Sequence, residues 1–352
     1  MSNTKNIIFI TNTINRGGAS RVITILANHY ASKGWNVSII LRQIDNSYPI
    51  NEDVKIVKVG TDSETSRFKW IKIIRKCVKE QSKNERCIVV SFLAMVNVYT
   101  IIATRGLNAR VIVSERNDIK KANAGFKFML ANFMYGKADA IVFQSERVKN
   151  YFSRIVKSKS TIVLNPVVVG CEVSNKNEHK IVNSGRLVPQ KNQKMLIEAF
   201  SEFYKEHSEY SLYIYGEGVL RNELETIIYE LGLSNCVFLP GNVANIHEKI
   251  ADSEFFVLSS DFEGLSNSLL ECMMMGVPCI STNCAGSDEI INNNQNGIIV
   301  PVGNKKLLTE AMKTLANDAK LRKNISKQAK KDSVAFRYEN VIRQWEEVFE
   351  NN

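Results

Sequence analysis

The residues best suited to chemistry lie in one segment, Asp261 to Gly276, which has the sequence DFEGLSNSLLECMMMG. It follows an apolar run, Phe255 to Leu258, that is typical of a buried strand, and it continues into a helical pattern. Gly264 lets the backbone approach a ligand closely, and the unpaired N–H groups at a helix start attract phosphate. The carboxylates of Glu263 and Glu271 can accept hydrogen bonds from hydroxyl groups on either side of that phosphate. The pattern suits a ligand with a sugar, a diphosphate and a ribose.

A second interpretation of this segment needs no ligand. Ser268 and Glu271 have the Ser-x-x-Glu spacing of a capping box, in which both side chains satisfy backbone N–H groups of the first helical turn. Glu271 would then only stabilise the helix start, and Glu263 would be a solvated loop residue.

Two cations farther upstream favour the ligand-binding interpretation. Arg186 and Lys191 follow a strand predicted for Lys180 to Ser184. In an open parallel sheet, ligands bind beyond the carboxyl ends of the strands, so the segment from Asp261 to Gly276 is expected at the same edge. A guanidinium and an ammonium that face a helix N-terminus bind a diphosphate without a metal ion. The alternative is that Arg186 and Lys191 are solvated surface cations.

Composition argues against several other kinds of site. The chain has 352 residues, of which 44% are hydrophobic and 23% charged, and this length is typical of two soluble domains. Its seven cysteines include no Cys-x-x-Cys pair, its four histidines are scattered, and no Asp-x-Asp motif occurs. We therefore expect neither a disulfide framework nor a metal site, and no cofactor. No signal peptide is visible, so reduced thiols in the cytoplasm are the simplest expectation.

Alternating strands and helices predict the fold class. A strand at Ile7 to Ile10, a turn at Gly17-Gly18 and a helix from Ala19 to Lys33 begin an α/β domain. The full Gly-x-Gly-x-x-Gly motif is missing, so nicotinamide binding is not expected. A second alternating series starts at Lys180, and the polar stretch from Ser174 to His179 predicts the linker.

The sequence therefore predicts two doubly wound, Rossmann-like domains. The first spans residues 1–170 and the second spans residues 178–335. A last amphipathic helix, at about residues 336–352, is predicted to pack back on the first domain.

Charge is distributed unevenly between the two halves. Residues 1–170 contain 27 Lys and Arg against 11 Asp and Glu, whereas the remainder contains 19 against 25. A basic amphipathic helix is predicted from Arg67 to Lys79, with Phe68 and Trp70 as apolar anchors. It suggests contact with an anionic membrane surface or lipid diphosphate, and a solvated surface helix is the alternative. The helix contains five cations: Lys69, Lys72, Arg75, Lys76 and Lys79.

Membrane contact, if made, is expected to be peripheral. The uncharged stretch from Cys87 to Thr104 is interrupted by polar residues, which favours a buried strand and a core helix over a membrane span. Nucleic-acid binding is not expected, because the basic half shows no recognition motif.

These motifs together resemble the family 4 retaining glycosyltransferases, which have the GT-B fold. The resemblance rests on Gly185-Arg186 with Lys191, on the Glu-x7-Glu spacing, on Gly17-Gly18, on Asn165-Pro166 and on Gly276-Val277-Pro278. It implies two Rossmann-like domains that face a central cleft. The chain is also similar to bacterial members that extend polyprenyl-diphosphate-linked glycans for capsule, O-antigen or protein glycosylation. The implied partners are a nucleotide-sugar donor, UDP-linked by expectation, a lipid-linked acceptor and the inner face of the cytoplasmic membrane.

The resemblance also implies roles for individual residues. Arg186 and Lys191 hold the donor diphosphate and stabilise the departing charge, Glu263 binds the donor sugar, and Glu271 binds the ribose. The remaining implied donor contacts are made by Gly185, Gly264, Leu265 and Ser266. On the acceptor side the resemblance implies roles for Gly17, Gly18 and Arg116. Many members have His at the position of Arg116, so a histidine-based role is not expected there.

Two other functions remain open at this level. A same-fold epimerase would act on the nucleotide sugar alone, and it would make less use of a basic, aromatic N-terminal face. A non-catalytic member of a membrane glycan-assembly complex would be expected to lack Arg186, Lys191, Glu263 or Glu271, all of which are present.

Overall fold

The computed structural model describes residues 5–15, 17–44, 48–60, 66–122, 125–169 and 179–350. Contacts divide the chain into two units. The first unit comprises Met1–Pro166 with Val341–Asn352, and the second comprises Val167–Asn340. Only His179 of the predicted linker, Ser174 to His179, is among the described residues.

The first unit is built on a parallel sheet of seven strands in the order β5-β3-β1-β6-β7-β8-β9, and β2 pairs with β4 in a small separate sheet. Central strands such as β1 are buried on both faces, which is why their sequences are continuous apolar runs instead of alternating ones. The strands are β1 (Asn6–Ile10), β2 (Thr13–Ile14), β3 (Asn36–Leu41), β4 (Gln43–Ile44), β5 (Lys55–Lys58), β6 (Cys87–Phe92), β7 (Ala109–Ser114), β8 (Ala140–Phe143) and β9 (Ser160–Ile162).

Helices connect these strands as parallel pairing requires. They are α1 (Gly18–Ser32), α2 (Arg67–Gln81), α3 (Ala94–Thr104), α4 (Ile119–Ala122), α5 (Phe126–Tyr135), α6 (Glu146–Lys149) and α7 (Arg154–Ser158). Helix α3 contacts both α2 and α5. The crossovers that contain these three helices all lead in the same direction along the sheet, so they cover the same face.

Helix α2 corrects one sequence-based prediction. Trp70 is only 3% exposed and packs in a core cluster with residues such as Ile8 and Ile40. It shares the inward face of α2 with Ile74 and Val78 because the three residues are spaced four apart. The prediction that Trp70 anchors the protein to a membrane is therefore wrong, whereas Phe68, at 77% exposure, does face solvent.

The second unit has a parallel sheet of six strands in the order β12-β11-β10-β13-β14-β15. Its strands are β10 (Lys180–Ser184), β11 (Ser211–Tyr215), β12 (Val237–Gly241), β13 (Phe255–Leu258), β14 (Cys279–Thr282) and β15 (Ile298–Val300). Its helices are α8 (Gln193–Tyr204), α9 (Arg221–Glu230), α10 (Ile246–Ala251), α11 (Asn267–Met275), α12 (Ser287–Ile290), α13 (Lys305–Asn317) and α14 (Ala319–Asp332), with 3-10 turns at Pro189–Lys191 and Ser333–Phe336. Two doubly wound sheets confirm the predicted fold class.

The last helix, α15 (Tyr338–Glu350), packs on the first unit. Its Trp345 ring lies 6.2 Å from the ring of Phe92, and Phe349 lies 5.4 Å from Tyr30. Arg110 Nη2 also donates a hydrogen bond of 3.0 Å to the carbonyl oxygen of Val348. The apolar face of this helix is thus buried against the first sheet and α1.

None of the helices described is both long and apolar enough to cross a bilayer. The uncharged stretch from Cys87 to Thr104 begins with β6 and ends with α3. Val96, Val98 and Ile101 of α3 are buried.

Candidate donor and acceptor sites

The sheet topology places the predicted donor residues together. Strand β10 lies between β11 and β13, so the loops that follow β10 and β13 leave the sheet at its topological switch point. The loop after β10 contains Gly185 and Arg186, and the loop after β13 leads through Glu263 into α11. Ser268 Oγ donates a hydrogen bond of 3.1 Å to the carbonyl oxygen of Ser184, which ties the first turn of α11 to the end of β10.

Lys191 is positioned by a short 3-10 turn. The turn ends at Asn192, whose φ of 46° is left-handed and whose Oδ1 accepts a hydrogen bond of 3.2 Å from the Met195 N–H, so it caps α8. The Lys191 side chain runs across Gly185, where an added Cβ would lie 3.1 Å from Lys191 Cε. The Lys191 side chain therefore passes close to the loop after β10.

Lys191 and Glu263 form the central ion pair of the site. Lys191 Nζ lies 2.5 Å from Glu263 Oε1, and the two side chains are 14% and 11% exposed. Glu263 also accepts hydrogen bonds from Ser260 Oγ at 2.9 Å and from Gln190 Nε2 at 3.3 Å. Burial, together with the charge of Glu263, raises the pKa of the neighbouring Cys284 to about 11. That thiol is therefore protonated at neutral pH and cannot act as a nucleophile.

Arg186 differs from Lys191 in its surroundings. Its side chain is exposed at the same edge of the sheet. Within the described part of the chain it is paired with no carboxylate, and its carbonyl oxygen accepts a hydrogen bond of 3.0 Å from Gln193 Nε2. This guanidinium can therefore meet a ligand anion without first breaking an ion pair.

The start of α11 is suited to bind an anion. Ser266 is its N-cap, but the Ser266 side chain makes no cap hydrogen bond, and its Oγ is buried without a partner among the residues described. Gly264 and Leu265 precede it and are buried. The backbone is tightly packed there: Gly286 has a φ of 85°, and a Cβ at Gly286 would lie 2.3 Å from the carbonyl oxygen of Gly264.

The capping-box interpretation is wrong. Ser268 lies two residues inside the helix and bonds to Ser184, whereas Ser266 occupies the cap position. Glu271 is 5% exposed, and its Oε2 lies 3.3 Å from His247 Nε2 on α10. Its Oε2 thus faces α10, and the N-cap position of α11 belongs to Ser266. His247 had not been expected at the site, because a single histidine on a short helix gives no recognisable sequence signal.

Arg116 lies in a buried polar network of the first unit. It is 8% exposed, and its guanidinium carbon lies 5.1 Å from the ring centroid of Phe92 and 5.4 Å from that of Trp345. Nη1 donates a hydrogen bond of 2.9 Å to Asn165 Oδ1, while Nε and Nη2 have no hydrogen-bond partner among the described atoms. Burial lowers the pKa of Arg116 to about 9. Two buried unpartnered donors can bind an anionic ligand group.

Glu115 completes that network through Tyr135 and Asn97, whose participation the sequence did not reveal. Tyr135 donates a hydrogen bond of 2.8 Å to Glu115 Oε2, and Asn97 Nδ2 donates one of 2.8 Å to the Tyr135 hydroxyl. Burial raises the pKa of Glu115 to about 7. The network lies at the carboxyl ends of β6 and β7, where ligands of such sheets bind.

Gly17 and Gly18 begin α1 after β1, the strand between β3 and β6. Gly17 is the N-cap, with extended backbone and no side-chain cap. The first turn of α1 contains no acidic residue, so its N–H groups face no carboxylate of their own turn. These glycines therefore follow the strand at the switch point of the first sheet, and their acceptor-side role stays a prediction.

The five cations predicted on α2 are all exposed. Arg75 differs from the other four because its Nη1 donates hydrogen bonds of 2.9 Å to the carbonyl oxygens of Ala103 and Arg105 at the end of α3. No group of three or more metal-ligating side chains occurs in the part of the chain that the structure describes.

Two Rossmann-like units, with cations and carboxylates at the switch point of the second, are the architecture of the GT-B glycosyltransferases. Residues 16–169 match the family model described as Glycosyltransferase Family 4, and residues 171–332 match the model described as Glycosyl transferases group 1. The chain belongs to the family 4 glycosyltransferases.

Relatives and solved structures agree with this assignment. The chain is 30% identical to a Campylobacter jejuni enzyme, the GalNAc-alpha-(1->4)-GalNAc-alpha-(1->3)-diNAcBac-PP-undecaprenol alpha-1,4-N-acetyl-D-galactosaminyltransferase, over 96% of each chain. It is 24% identical to the amylovoran biosynthesis glycosyltransferase AmsD of Erwinia amylovora, over 98% of this chain and 99% of that one. Among solved structures it matches Anabaena HepE in complex with UDP and glucose at a TM-score of 0.83 and 15% identity, covering 99% of this chain and 100% of that chain. The last match shows the shared fold.

Proposed function

We propose that this glycosyltransferase moves a hexose or N-acetylhexosamine from a UDP-sugar to a polyprenyl-diphosphate-linked glycan, with retention of anomeric configuration and without a metal ion. One observation supports this most directly. The Lys191–Glu263 ion pair lies at a sheet switch point, where Arg186 is exposed and where α11 follows the N-cap Ser266, whose side chain makes no cap hydrogen bond. Glu271 is buried farther along α11. The names of the Campylobacter jejuni relative and of the UDP complex support the choice of acceptor and nucleotide.

Each donor residue has a distinct role in this proposal. The α11 N-terminus and Ser266 Oγ bind the diphosphate, and Glu271 binds the ribose hydroxyls. Lys191 and Arg186 stabilise the negative charge that gathers on the diphosphate as the bond to the sugar breaks. Glu263, held by Ser260 and Gln190, binds hydroxyls of the donor sugar.

We propose a metal-independent reaction because two cationic side chains can neutralise the diphosphate. A guanidinium and an ammonium are available at the edge of the sheet, and the chain has no Asp-x-Asp motif. The acceptor hydroxyl adds to the anomeric carbon, and its proton leaves with the released nucleotide. The first unit supplies the acceptor side, where Gly17, Gly18 and the two unpartnered donors of Arg116 meet anionic groups of the acceptor.

The proposed location follows from the acceptor. A polyprenyl chain stays in the membrane, so the enzyme works as a peripheral protein on the inner face of the cytoplasmic membrane, in assembly of a capsule, O-antigen or related glycan. The first unit's excess of Lys and Arg matches an anionic lipid surface. No resident cofactor takes part.

The decisive experiment offers a panel of nucleotide sugars with and without lipid-linked acceptors, and follows nucleotide release and the anomeric configuration of the product. The proposal expects a retained linkage, release that depends on the acceptor, and full rates in EDTA. Conversion of the nucleotide sugar without any acceptor would instead identify an epimerase. Loss of activity in EDTA with recovery on adding Mg²⁺ or Mn²⁺ would contradict the metal-independent mechanism.

A further inference from the structure

Four large apolar side chains are exposed together on the first unit. Phe126, Met129 and Phe133 of α5 are 76%, 68% and 67% exposed, and Ile155 of α7 is 64% exposed. The first three are spaced three and four residues apart, so they lie along one face of the helix. Ile155 continues this face, because a Cβ at Gly136, just beyond α5, would lie 3.2 Å from Ile155 Cγ2. We call these four residues the apolar stripe.

The opposite face of α5 is fixed to the core, so the stripe cannot turn inward. Ala131, Met134 and Tyr135 are buried. The Tyr135 ring stacks on Phe152 at 5.5 Å, and the Phe128 ring meets Phe152 at 5.3 Å. The helix therefore presents its apolar stripe to solvent as a stable feature of the fold, and contiguous exposed apolar surface marks an interaction site.

Cations border the stripe. Lys127 and Arg154 are exposed immediately beside Phe126 and Ile155 in the sequence. Lys137 Nζ lies 4.4 Å from the ring centroid of Phe133. Neither α5 nor α7 contains an Asp or Glu. Large apolar side chains with Lys and Arg around them are the composition of surfaces that lie in a membrane interface.

We propose that the apolar stripe inserts into the headgroup region of an anionic lipid bilayer, with its bordering cations at the lipid phosphates. This inference rests on the proposed function in one respect, since a lipid-linked acceptor requires the enzyme at a membrane. A second copy of the chain fits less well, because a symmetric contact would bring the same cations together.

The apolar stripe also supplies the exposed apolar surface that α2 lacks. With Trp70 buried, Phe68 is the one strongly exposed large apolar residue on α2. Helix α3 contacts both α2 and α5, and all three helices cover the same face of the first sheet. The α2 cations then provide attraction that depends on salt, and the stripe provides insertion that depends little on salt.

Fluorescence of a Phe126→Trp variant tests insertion directly. Vesicles of phosphatidylglycerol and phosphatidylcholine, without donor or acceptor, should shift its emission to the blue, and brominated lipids should quench it. Tyr229→Trp, at an exposed position of the second unit, is the matched control and should change little. Equal responses from both variants, or none from Phe126→Trp, would overturn the proposal.

Vesicle sedimentation separates the stripe from α2. Changing Phe126, Met129 and Phe133 to Ser should lower binding at least ~10-fold, including at high salt where electrostatic attraction is screened. Changing the α2 cations to Gln should remove mainly the salt-sensitive part. The control changes three exposed apolar residues of the second unit to Ser, namely Tyr229, Leu231 and Leu307, and should bind as the parent does.

The outcomes also distinguish this proposal from the proposed function. Stripe variants should retain turnover on a water-soluble acceptor, because the stripe belongs to the first unit and the proposed donor residues belong to the second. If the stripe variants bind vesicles normally but change from dimer to monomer in light scattering, a second copy occupies the stripe and the proposal is wrong. Vesicle binding through the stripe by a protein that transfers no sugar would leave this inference standing and refute the function alone.

Discussion

Removal of Lys191 should destabilise the ligand-free protein measurably. Breaking a fully buried ion pair by removing one partner costs ~3–5 kcal/mol. Here both side chains remain slightly exposed, and Glu263 keeps its hydrogen bonds to Ser260 and Gln190. We therefore expect Lys191→Ala to lower the free energy of unfolding by ~2 kcal/mol. For a unit of this size each kcal/mol changes Tm by ~2–4 °C, so Tm should fall by ~4–8 °C.

Calorimetry of the full-length chain gives the shift, and a double-mutant cycle gives its cause. Lys191→Ala with Glu263→Gln should be less destabilised than the sum of the two single variants, by ~1–2 kcal/mol, because the second change removes the unpaired charge. Lys313→Ala is the matched control, since it breaks a 2.7 Å ion pair with Glu206 in which Glu206 is mostly exposed. Lys313→Ala should therefore hardly change the free energy of unfolding. A Lys191→Ala shift no larger than the control, or strict additivity in the cycle, would refute the reasoning.

Three further predictions concern individual residues. Arg186→Ala should lower kcat by ~10²–10³-fold and leave donor affinity within ~10-fold, because its charge matters most as the bond breaks; equal losses in binding and turnover would contradict this. Glu271→Gln should keep its Tm but weaken UDP binding by ~10-fold in calorimetry, because a neutral acceptor bonds hydroxyls less strongly; lost stability with intact affinity would return Glu271 to a structural role. Glu115 has its pKa raised by burial from 4.5 to about 7, so its contribution to stability is present below about pH 4.5 and is lost as pH rises through about 7. In the parent protein this loss lowers the free energy of unfolding by at most ~3 kcal/mol between about pH 5 and pH 8, and Glu115→Gln should remove that fall. If the free energies of unfolding of parent and variant follow parallel curves against pH, this prediction is wrong.

The sequence by itself determined the fold class and grouped the residues of the proposed donor site. Buried parallel strands are continuous apolar runs and crossover helices are amphipathic, so their alternation could be recognised in both halves without tertiary contacts. Arg186, Lys191 and Glu263 could be grouped because each follows a strand, and strand ends of a parallel sheet share an edge. The last helix could be recognised from its apolar spacing, although its contacts with Phe92 and Tyr30 could not.

Only the tertiary structure decided which side of each helix is buried and which residues that side contacts. An amphipathic pattern shows that Trp70 shares a face with Ile74, but not that this face is the buried one. The Ser-x-x-Glu spacing is compatible with a cap, and contact with Ser184 and His247 is what excludes it. The Glu115–Tyr135–Asn97 network and the apolar stripe are likewise invisible in sequence, because they depend on residues brought together from separate elements. The local sequence pattern specifies the helices and strands, and long-range packing specifies which of their residues contact one another.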